Sequence, residues 1–261
     1  MIAACWKWIA PGGDERWAGA SESDRAALEV ALQLAAAADD DVTVVAVGGP
    51  EVEAGLREAL AVGAARAVRI DAPADLASEA VARAIVAAVS GARWIVCGDV
   101  SADRGSGSVP AFVAAELGVA QALGLLSVTA DAGGARAVRR LDGGRREVLA
   151  VTAPAVLSVE GSAARLRRAS LRAELAARNV VVGVLPGPGG PVEHPDAVQR
   201  YRPRARALAA PVGAPLARVL QLTDAGGSTS TTHELVSLDP AAATDRILDA
   251  LAEWGYLTPA T

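Results

Sequence analysis

Short apolar runs alternate with stretches of helical periodicity through the first half of the chain. The apolar runs are almost continuous, as expected of strands that are buried on both faces of a sheet. They occupy residues 2–9, 42–47, 67–70 and 93–98. The helical stretches between them occupy residues 23–37, 51–64, 76–91 and 110–118. This alternation predicts a Rossmann-like α/β fold with a parallel sheet and helices on both faces.

Residue types that favour helix ends mark several of these boundaries. Ser23 or Asp24 suits the N-cap of the first helix, and Gly63 suits the end of the second. Near the C-terminus, Asp239 suits an N-cap and Pro240 the first position of an amphipathic helix.

The second half of the chain changes character. Two β-like runs flank the turn sequence "DGG" at 142–144, which predicts a β-hairpin extension. The segment 163–179 is basic and helix-prone, and from residue 183 onward Pro, Gly and Arg argue against a regular core element.

These changes predict two domains. Residues 1–185 form the α/β domain with its hairpin, and residues 186–261 form an irregular C-terminal arm that ends in the amphipathic helix. Such an arm either clasps another surface or packs on its own domain, and the pattern alone leaves both open.

The composition argues against several classes of function. The net charge of −5 and an aromatic content of 3% argue against a nucleic-acid partner. Cys5 and Cys97 lie in apolar runs and are expected to be small buried hydrophobic residues without a metal or disulfide pattern. The lack of a spanning apolar run or a signal-peptide pattern predicts a cytoplasmic protein with no membrane span.

Three loops follow the predicted strands and are expected to meet at one crevice, because ligands of such sheets bind beyond the carboxyl ends of the strands. The loop after Gly98 contains the most groups that could contact a ligand. Its glycines permit tight turns and close backbone approach, its serines offer hydroxyls, and the following helix offers free N–H groups. The residues concerned are Gly105, Ser106, Gly107, Ser108 and Val109.

This loop is either an anion site or an ordinary Gly-rich loop. It has neither the Gly-Lys-Ser/Thr end of a Walker motif nor the dinucleotide fingerprint. Asp103 is a ribose ligand, a loop cap or a solvated charge. His194 and His233 lie in polar segments without metal spacing, which favours surface positions. No nucleophile, base and orienting group occur together, so the chain is expected to carry no catalytic residues of its own, whichever of the two the loop is.

The segment 135–158, "ARAVRRLDGGRREVLAVTAPAVLS", resembles the signature of the electron transfer flavoprotein β-subunit family. The matching positions are Ala137, Arg139, Asp142, Gly143, Gly144, Glu147, Leu149, Pro154, Val156, Leu157 and Ser158. The resemblance extends over roughly residues 1–185 and over about the last twenty residues of the chain. It includes the first strand with Lys7.

The resemblance implies a heterodimer with an α subunit that holds one FAD shared between the subunits. This FAD passes electrons from dehydrogenases to an acceptor. The β subunit of this family usually buries a structural AMP, and in bifurcating relatives a second FAD takes that place. Carried over by position, the nucleotide pocket uses Cys5, Ser21 through Asp24, Val47, and Gly98 through Val109 with Asp103 among them.

The family also has a dehydrogenase-docking leucine, which "RASLR" places at Leu171. Arg168 and Arg172 stand where the family has tyrosine and proline, so this docking surface is more basic than usual. The Pro/Arg-rich arm resembles the subgroup associated with mycofactocin-type redox systems.

Two other functions are compatible with parts of the sequence. A stand-alone adenine-nucleotide-binding regulatory domain explains the first 120 residues but leaves the "DGG" segment and the arm unexplained. An NAD-dependent oxidoreductase conflicts with the missing fingerprint and the missing acid–base set.

Overall fold

A computed structural model describes residues 1–73, 76–187, 212–223 and 237–256 of the chain. The chain divides into two compact units, Met1–Val198 and Gln199–Thr261. The strands are β1 Ile2–Cys5, β2 Trp8–Ile9, β3 Gly19–Ala20, β4 Val42–Val47, β5 Arg66–Asp71, β6 Trp94–Gly98, β7 Ala120–Asp131, β8 Gly134–Arg140, β9 Arg146–Val151, β10 Ala155–Val159 and β11 Gly183–Pro186. The α-helices are α1 Glu22–Ala38, α2 Glu53–Val62, α3 Ser78–Ala88, α4 Val109–Leu117, α5 Leu171–Ala177, α6 Pro215–Thr223 and α7 Pro240–Glu253.

Nine strands form one sheet in the order β11-β5-β4-β1-β6-β10-β7-β8-β9. Neighbours from β11 to β7 run parallel, and β7, β8 and β9 continue the sheet as an antiparallel meander. The predicted parallel sheet and the hairpin extension are both confirmed.

Helices cover both faces of the sheet, as predicted. On one face, Leu28 of α1 and Leu56 of α2 pack in a cluster with Leu157 of β10. On the other face, Ile85 of α3 and Val113 of α4 pack with residues of the central strands. Burial of these apolar side chains between helices and sheet is the main favourable contribution to the stability of the unit.

Two boundaries near the N-terminus differ from the sequence-based prediction. The first strand stops at Cys5, and Trp8–Ile9 instead pairs with Gly19–Ala20 in a separate two-stranded sheet. The N-cap of α1 is Ser21, whose Oγ accepts a hydrogen bond from the N–H of Asp24 at 3.1 Å. Asp24 Oδ2 in turn accepts from the N–H of Ser21 at 3.3 Å, which completes a capping box.

The "DGG" segment builds the hairpin between β8 and β9. Gly143 and Gly144 adopt φ angles of 69° and 74°, in the left-handed region that favours glycine. Arg139 lies opposite Glu147 across the two strands and forms an ion pair with it. Ser158 Oγ accepts a hydrogen bond from the N–H of Gly124 at 3.0 Å, joining β10 to β7. These residues of the 135–158 segment therefore stabilise the turn and the strand pairing of the β-hairpin extension.

The basic segment is less helical than its composition suggests. Only Leu171–Ala177 is helical, with Ser170 as its N-cap, and most of the residues before it are irregular. Gly183–Pro186, expected to be irregular, is instead an edge strand that pairs with β5. An edge position tolerates proline because one side of such a strand needs no ladder hydrogen bonds.

The second unit contains α6 and α7 among the residues that the structure describes. Asp239 Oδ1 accepts from the N–H groups of Ala241 and Ala242 at 3.0 and 3.1 Å, so the predicted N-cap is confirmed. His194 and His233 lie outside the described residues. In the described ranges, no helix combines the length and apolar character that a membrane crossing requires.

We expect Leu157→Ala to lower the free energy of unfolding by about 2–5 kcal/mol, because Leu157 is fully buried and its removal leaves a cavity. The same change at Leu171, which is 71% exposed, should cost about 0.5 kcal/mol or less. Urea unfolding of both variants measures the difference. Equal losses would show that the packing of β10 is not what the structure indicates.

Candidate functional site

A cavity lies beyond the carboxyl ends of β1, β4 and β6, with about 880 Å³ of empty space including its opening to solvent. Its wall contains Cys5, Trp6, Lys7, Asp24, Val45, Val47, Pro73, Leu76, Ser78, Val81, Ile85, Cys97, Gly98, Val100, Ser101, Arg104, Ser106, Gly107, Val109 and Pro110. In the strand order, β4 and β6 flank β1 on opposite sides, so the order in which successive parallel strands join the sheet reverses here. Such a switch point is where open α/β sheets bind their ligands.

One side of the cavity depends on the close approach of α1 to the end of β6. A Cβ atom added at Gly98 would lie 2.7 Å from Ser23 Oγ and 3.1 Å from the N atom of Asp24. Only glycine lets the first turn of α1 pack this closely on the strand end. Ser23 Oγ also donates to the carbonyl of Val100 at 3.2 Å, which fixes the start of the following loop.

The loop after β6 folds back on itself. Ser101 N–H donates to the carbonyl of Ser106 at 2.8 Å, and Gly105 N–H donates to the carbonyl of Ser101 at 2.7 Å. Gly105 has a φ of 65°, and a Cβ at Gly107 would lie 2.0 Å from the carbonyl oxygen of Asp99. The loop is therefore compact and requires glycine at both positions.

Lys7 connects this loop to the end of β1. Its Nζ donates to Asp103 Oδ1 at 2.6 Å and to Ser101 Oγ at 3.0 Å. Partial burial disfavours the charged carboxylate, but the hydrogen bonds from Lys7 and Ser101 outweigh this and lower the pKa of Asp103 to about 2. Asp103 thus stays ionised and holds the ammonium group at the cavity wall.

The opposite side is closed by the segment before α3. Arg104 donates from Nη1 to the carbonyl of Leu76 at 2.9 Å, which joins the loop to that segment. Val81 and Ile85 of α3 add an apolar surface next to Val45 of β4. The cavity therefore combines an apolar wall with two cationic side chains.

Asp24 is the buried acid of the site. It is 8% exposed, and its Oδ2 accepts a hydrogen bond from Ser21 Oγ at 2.6 Å. Burial raises the pKa of Asp24 to about 6, against the opposing effect of the hydrogen bonds from Ser21. Its protonation therefore changes close to neutral pH.

The structure places the residues carried over from the family in or directly behind this wall. Cys5, Asp24, Val47, Gly98, Ser106, Gly107 and Val109 line the cavity. Four carried-over residues are not part of the wall itself. Ser21 caps α1, Asp103 holds Lys7, Gly105 turns the loop, and Ser108 occupies the N-cap position of α4 without a side-chain hydrogen bond.

Lys7 and Leu76 are cavity residues that were not predicted from the sequence, whereas Arg104 lies within the range Gly98 through Val109 that the resemblance implies. Lys7 could have been noticed as the only lysine of the chain. The contribution of Leu76 has no local signal in the sequence, because it depends on a hydrogen bond from Arg104, which is distant along the chain. Cys5, expected to be buried, is half-buried and lines the cavity, whereas Cys97 is buried as expected.

Leu171 lies outside the cavity wall, at the first position of α5, and is 71% exposed. The segment before it is anchored by Arg167, which donates to the carboxylate of Glu29 from its backbone N–H at 3.1 Å and from Nε and Nη2 at 2.9 Å. Burial opposes ionisation of Glu29, but the hydrogen bonds from Arg167 prevail and lower its pKa. The anchor is thus a charged pair that holds the segment on α1.

The site can bind an anionic, partly apolar ligand. Among the residues that the structure describes, no group of three or more His, Cys, Asp or Glu side chains could hold a metal ion. The apolar wall suits a planar base, and the cations with the N-terminus of α4 suit a phosphate.

Comparisons with known proteins find similar sequences. A family model for the electron transfer flavoprotein domain matches residues 15–187. Proteins named electron transfer flavoprotein subunit beta are similar: that of Syntrophomonas wolfei is 34% identical over 158 residues, and that of Mycobacterium tuberculosis 31% over 175 residues. The matches cover 59% and 63% of this chain, and 62% and 65% of those relatives. The chain therefore matches less than two thirds of each relative's length.

We expect the free energy of unfolding to fall relative to an Asp24→Asn variant as the pH rises from about 4 to about 7. The pKa of folded Asp24 is about 6, above that of an unfolded aspartate, so the folded chain binds the proton more tightly in this window. The stabilising effect is complete below about pH 4 and is lost as pH passes 6, by up to about 3 kcal/mol. Urea unfolding across this range measures it. Parallel pH profiles for the two proteins would contradict the assignment.

Proposed function

The chain belongs to the electron transfer flavoprotein β-subunit family, and from this premise we propose that it pairs with an α subunit in a heterodimer. FAD shared with that α subunit carries electrons from dehydrogenases to a downstream acceptor. The observation that carries the proposal is the match over residues 15–187, which spans the loop after β6, the hairpin and α5. For this electron transfer the chain supplies binding surfaces, and the flavin is the reacting group.

The cavity is proposed to hold AMP as a structural ligand. Its adenine is expected beside the apolar side chains of Val45, Val81 and Ile85. Its phosphate is expected near Lys7 and Arg104, whose charges offset that of the anion, and near the backbone of Ser106 to Val109. The close packing at Gly107 supports this assignment, because it keeps the loop backbone in one shape before the ligand arrives.

Leu171 is proposed to be the anchor for dehydrogenases. It is an exposed leucine at the start of a capped helix, and the Arg167–Glu29 contact fixes the residues just before it. A rigidly presented apolar side chain loses little conformational entropy on docking. Arg168 and Arg172 beside it favour a partner with an acidic rim.

The C-terminal arm, residues 186–261, is proposed to clasp the α subunit. Among its described residues, α7 leaves Ile247, Leu248 and Trp254 exposed at 60%, 46% and 68%. An amphipathic helix with uncovered apolar residues favours a partner surface. Most of the Pro/Arg-rich part of the arm lies outside the described residues.

Co-expression with an α-subunit partner tests the proposal. We expect a heterodimer that contains FAD, and mass analysis of its extracted nucleotides should also find AMP. A colourless monomer under these conditions would contradict the heterodimer, and release of NAD would favour an oxidoreductase. In the same preparation, Gly107→Ala should weaken AMP binding about tenfold or more, because the new Cβ displaces the loop. Gly133→Ala is the control, since a Cβ there has nothing within 4 Å.

Leu171→Ala should slow electron transfer from the dehydrogenase about tenfold at low protein concentration, because it removes the apolar anchor. FAD and AMP content should stay unchanged. Stopped-flow reduction of the heterodimer measures the rate. Val148→Ala, which truncates another exposed apolar side chain, should leave it unaltered. If Leu171→Ala loses cofactor instead, the residue is structural.

A further inference from the structure

The two cysteines of the chain are neighbours across two parallel strands. Ala4 of β1 pairs with Val96 of β6, so Cys5 and Cys97 follow in the next register position. Adjacent strands lie about 4.8 Å apart, and disulfides join Cα atoms about 4.4–6.8 Å apart. Both side chains also lie on the face of the sheet that α3 and α4 cover. A bond between them is therefore compatible with the backbone as it stands.

Both cysteines line the cavity, but they are not equally accessible. Cys5 is half-buried, whereas Cys97 is 4% exposed. A hydrogen bond with Cys5, together with burial, raises the pKa of the Cys97 thiol well above its usual value. The two thiols are neighbours in the cavity wall, and a reagent that enters the cavity reaches the more exposed Cys5 first.

We propose that Cys5 and Cys97 form a redox-active thiol pair, which a hydroperoxide entering the cavity oxidises to a disulfide. The Cys5 thiolate attacks one peroxide oxygen, the O–O bond breaks, and a sulfenic acid forms on Cys5. The hydroxide or alkoxide that leaves takes up the proton that the Cys5 thiol had released, and so becomes water or an alcohol. Cys97 Sγ then attacks the Cys5 sulfur and expels hydroxide, which takes up the Cys97 proton as water. The thiols lose two electrons and two protons in total, and the peroxide accepts them.

The thiol pair shares the cavity proposed for AMP, so its oxidation needs a chain whose cavity is free of nucleotide. It does not require the proposed electron-transfer role. In a reducing compartment such a bond is reversible and reports on oxidant exposure. It also links the ends of β1 and β6 covalently beside Gly98, where the loop after β6 begins.

Hydrogen peroxide applied to the reduced full chain tests the proposal, followed by alkylation in denaturant and intact-mass analysis. Because the chain has two cysteines, the reduced protein takes two alkyl groups. The oxidised protein should take none, should be lighter by two hydrogen atoms before alkylation, and should recover both sites with dithiothreitol. A chain that still takes two alkyl groups, or a disulfide between two copies, would overturn the proposal.

Single variants separate the two roles. In Cys97→Ser, oxidation should stop at the sulfenic acid of Cys5, which dimedone traps. In Cys5→Ser, the buried Cys97 should remain alkylatable after the same exposure. Cys97→Ala provides the same test if serine is not tolerated at that buried position. Dimedone labelling of Cys97 instead of Cys5 would contradict the assigned order.

Discussion

The packing of the first turn of α1 against the end of β6 determines the shape of the site. Gly98 has no side chain, so Ser23 and Asp24 approach the strand closely enough to form one cavity wall. The capping box satisfies the helix N-terminus there without an external ligand. The loop after β6 starts from this contact, and Lys7 and Arg104 then join it to β1 and to the segment before α3. Any side chain at Gly98 would separate these elements.

Much of the fold could be predicted from the sequence because its physical signals are local. Continuous apolar runs mark β4 and β6, Gly63 ends α2, and Asp239 caps α7. Where the prediction failed, pairing between separate segments of the chain determined the secondary structure. Trp8 leaves the first strand for a separate pairing, and Pro186 ends an edge strand although its composition suggested an irregular segment.

The site was less predictable than the fold. The Gly/Ser loop was visible because glycine and serine are unusual at such density, and the strand ends indicated where a cavity would form. The residues that contact that loop could not be predicted from the sequence. Asp103 was open to three interpretations in the sequence, and only the position of Lys7, ninety-six residues away, shows that it forms an ion pair. Likewise, nothing in the sequence indicates that Arg167 and Glu29 meet.

The Arg167–Glu29 contact connects the surface around Leu171 to the helix that forms part of the cavity wall. A single helix, α1, carries the cavity wall at Asp24 and, about one and a half turns later, the carboxylate that anchors the segment before Leu171. Displacement of this helix changes both surfaces at once. Substitutions at Asp24 and at Glu29 therefore act on the same helix. Their effects on the free energy of unfolding will not add as those of independent sites do.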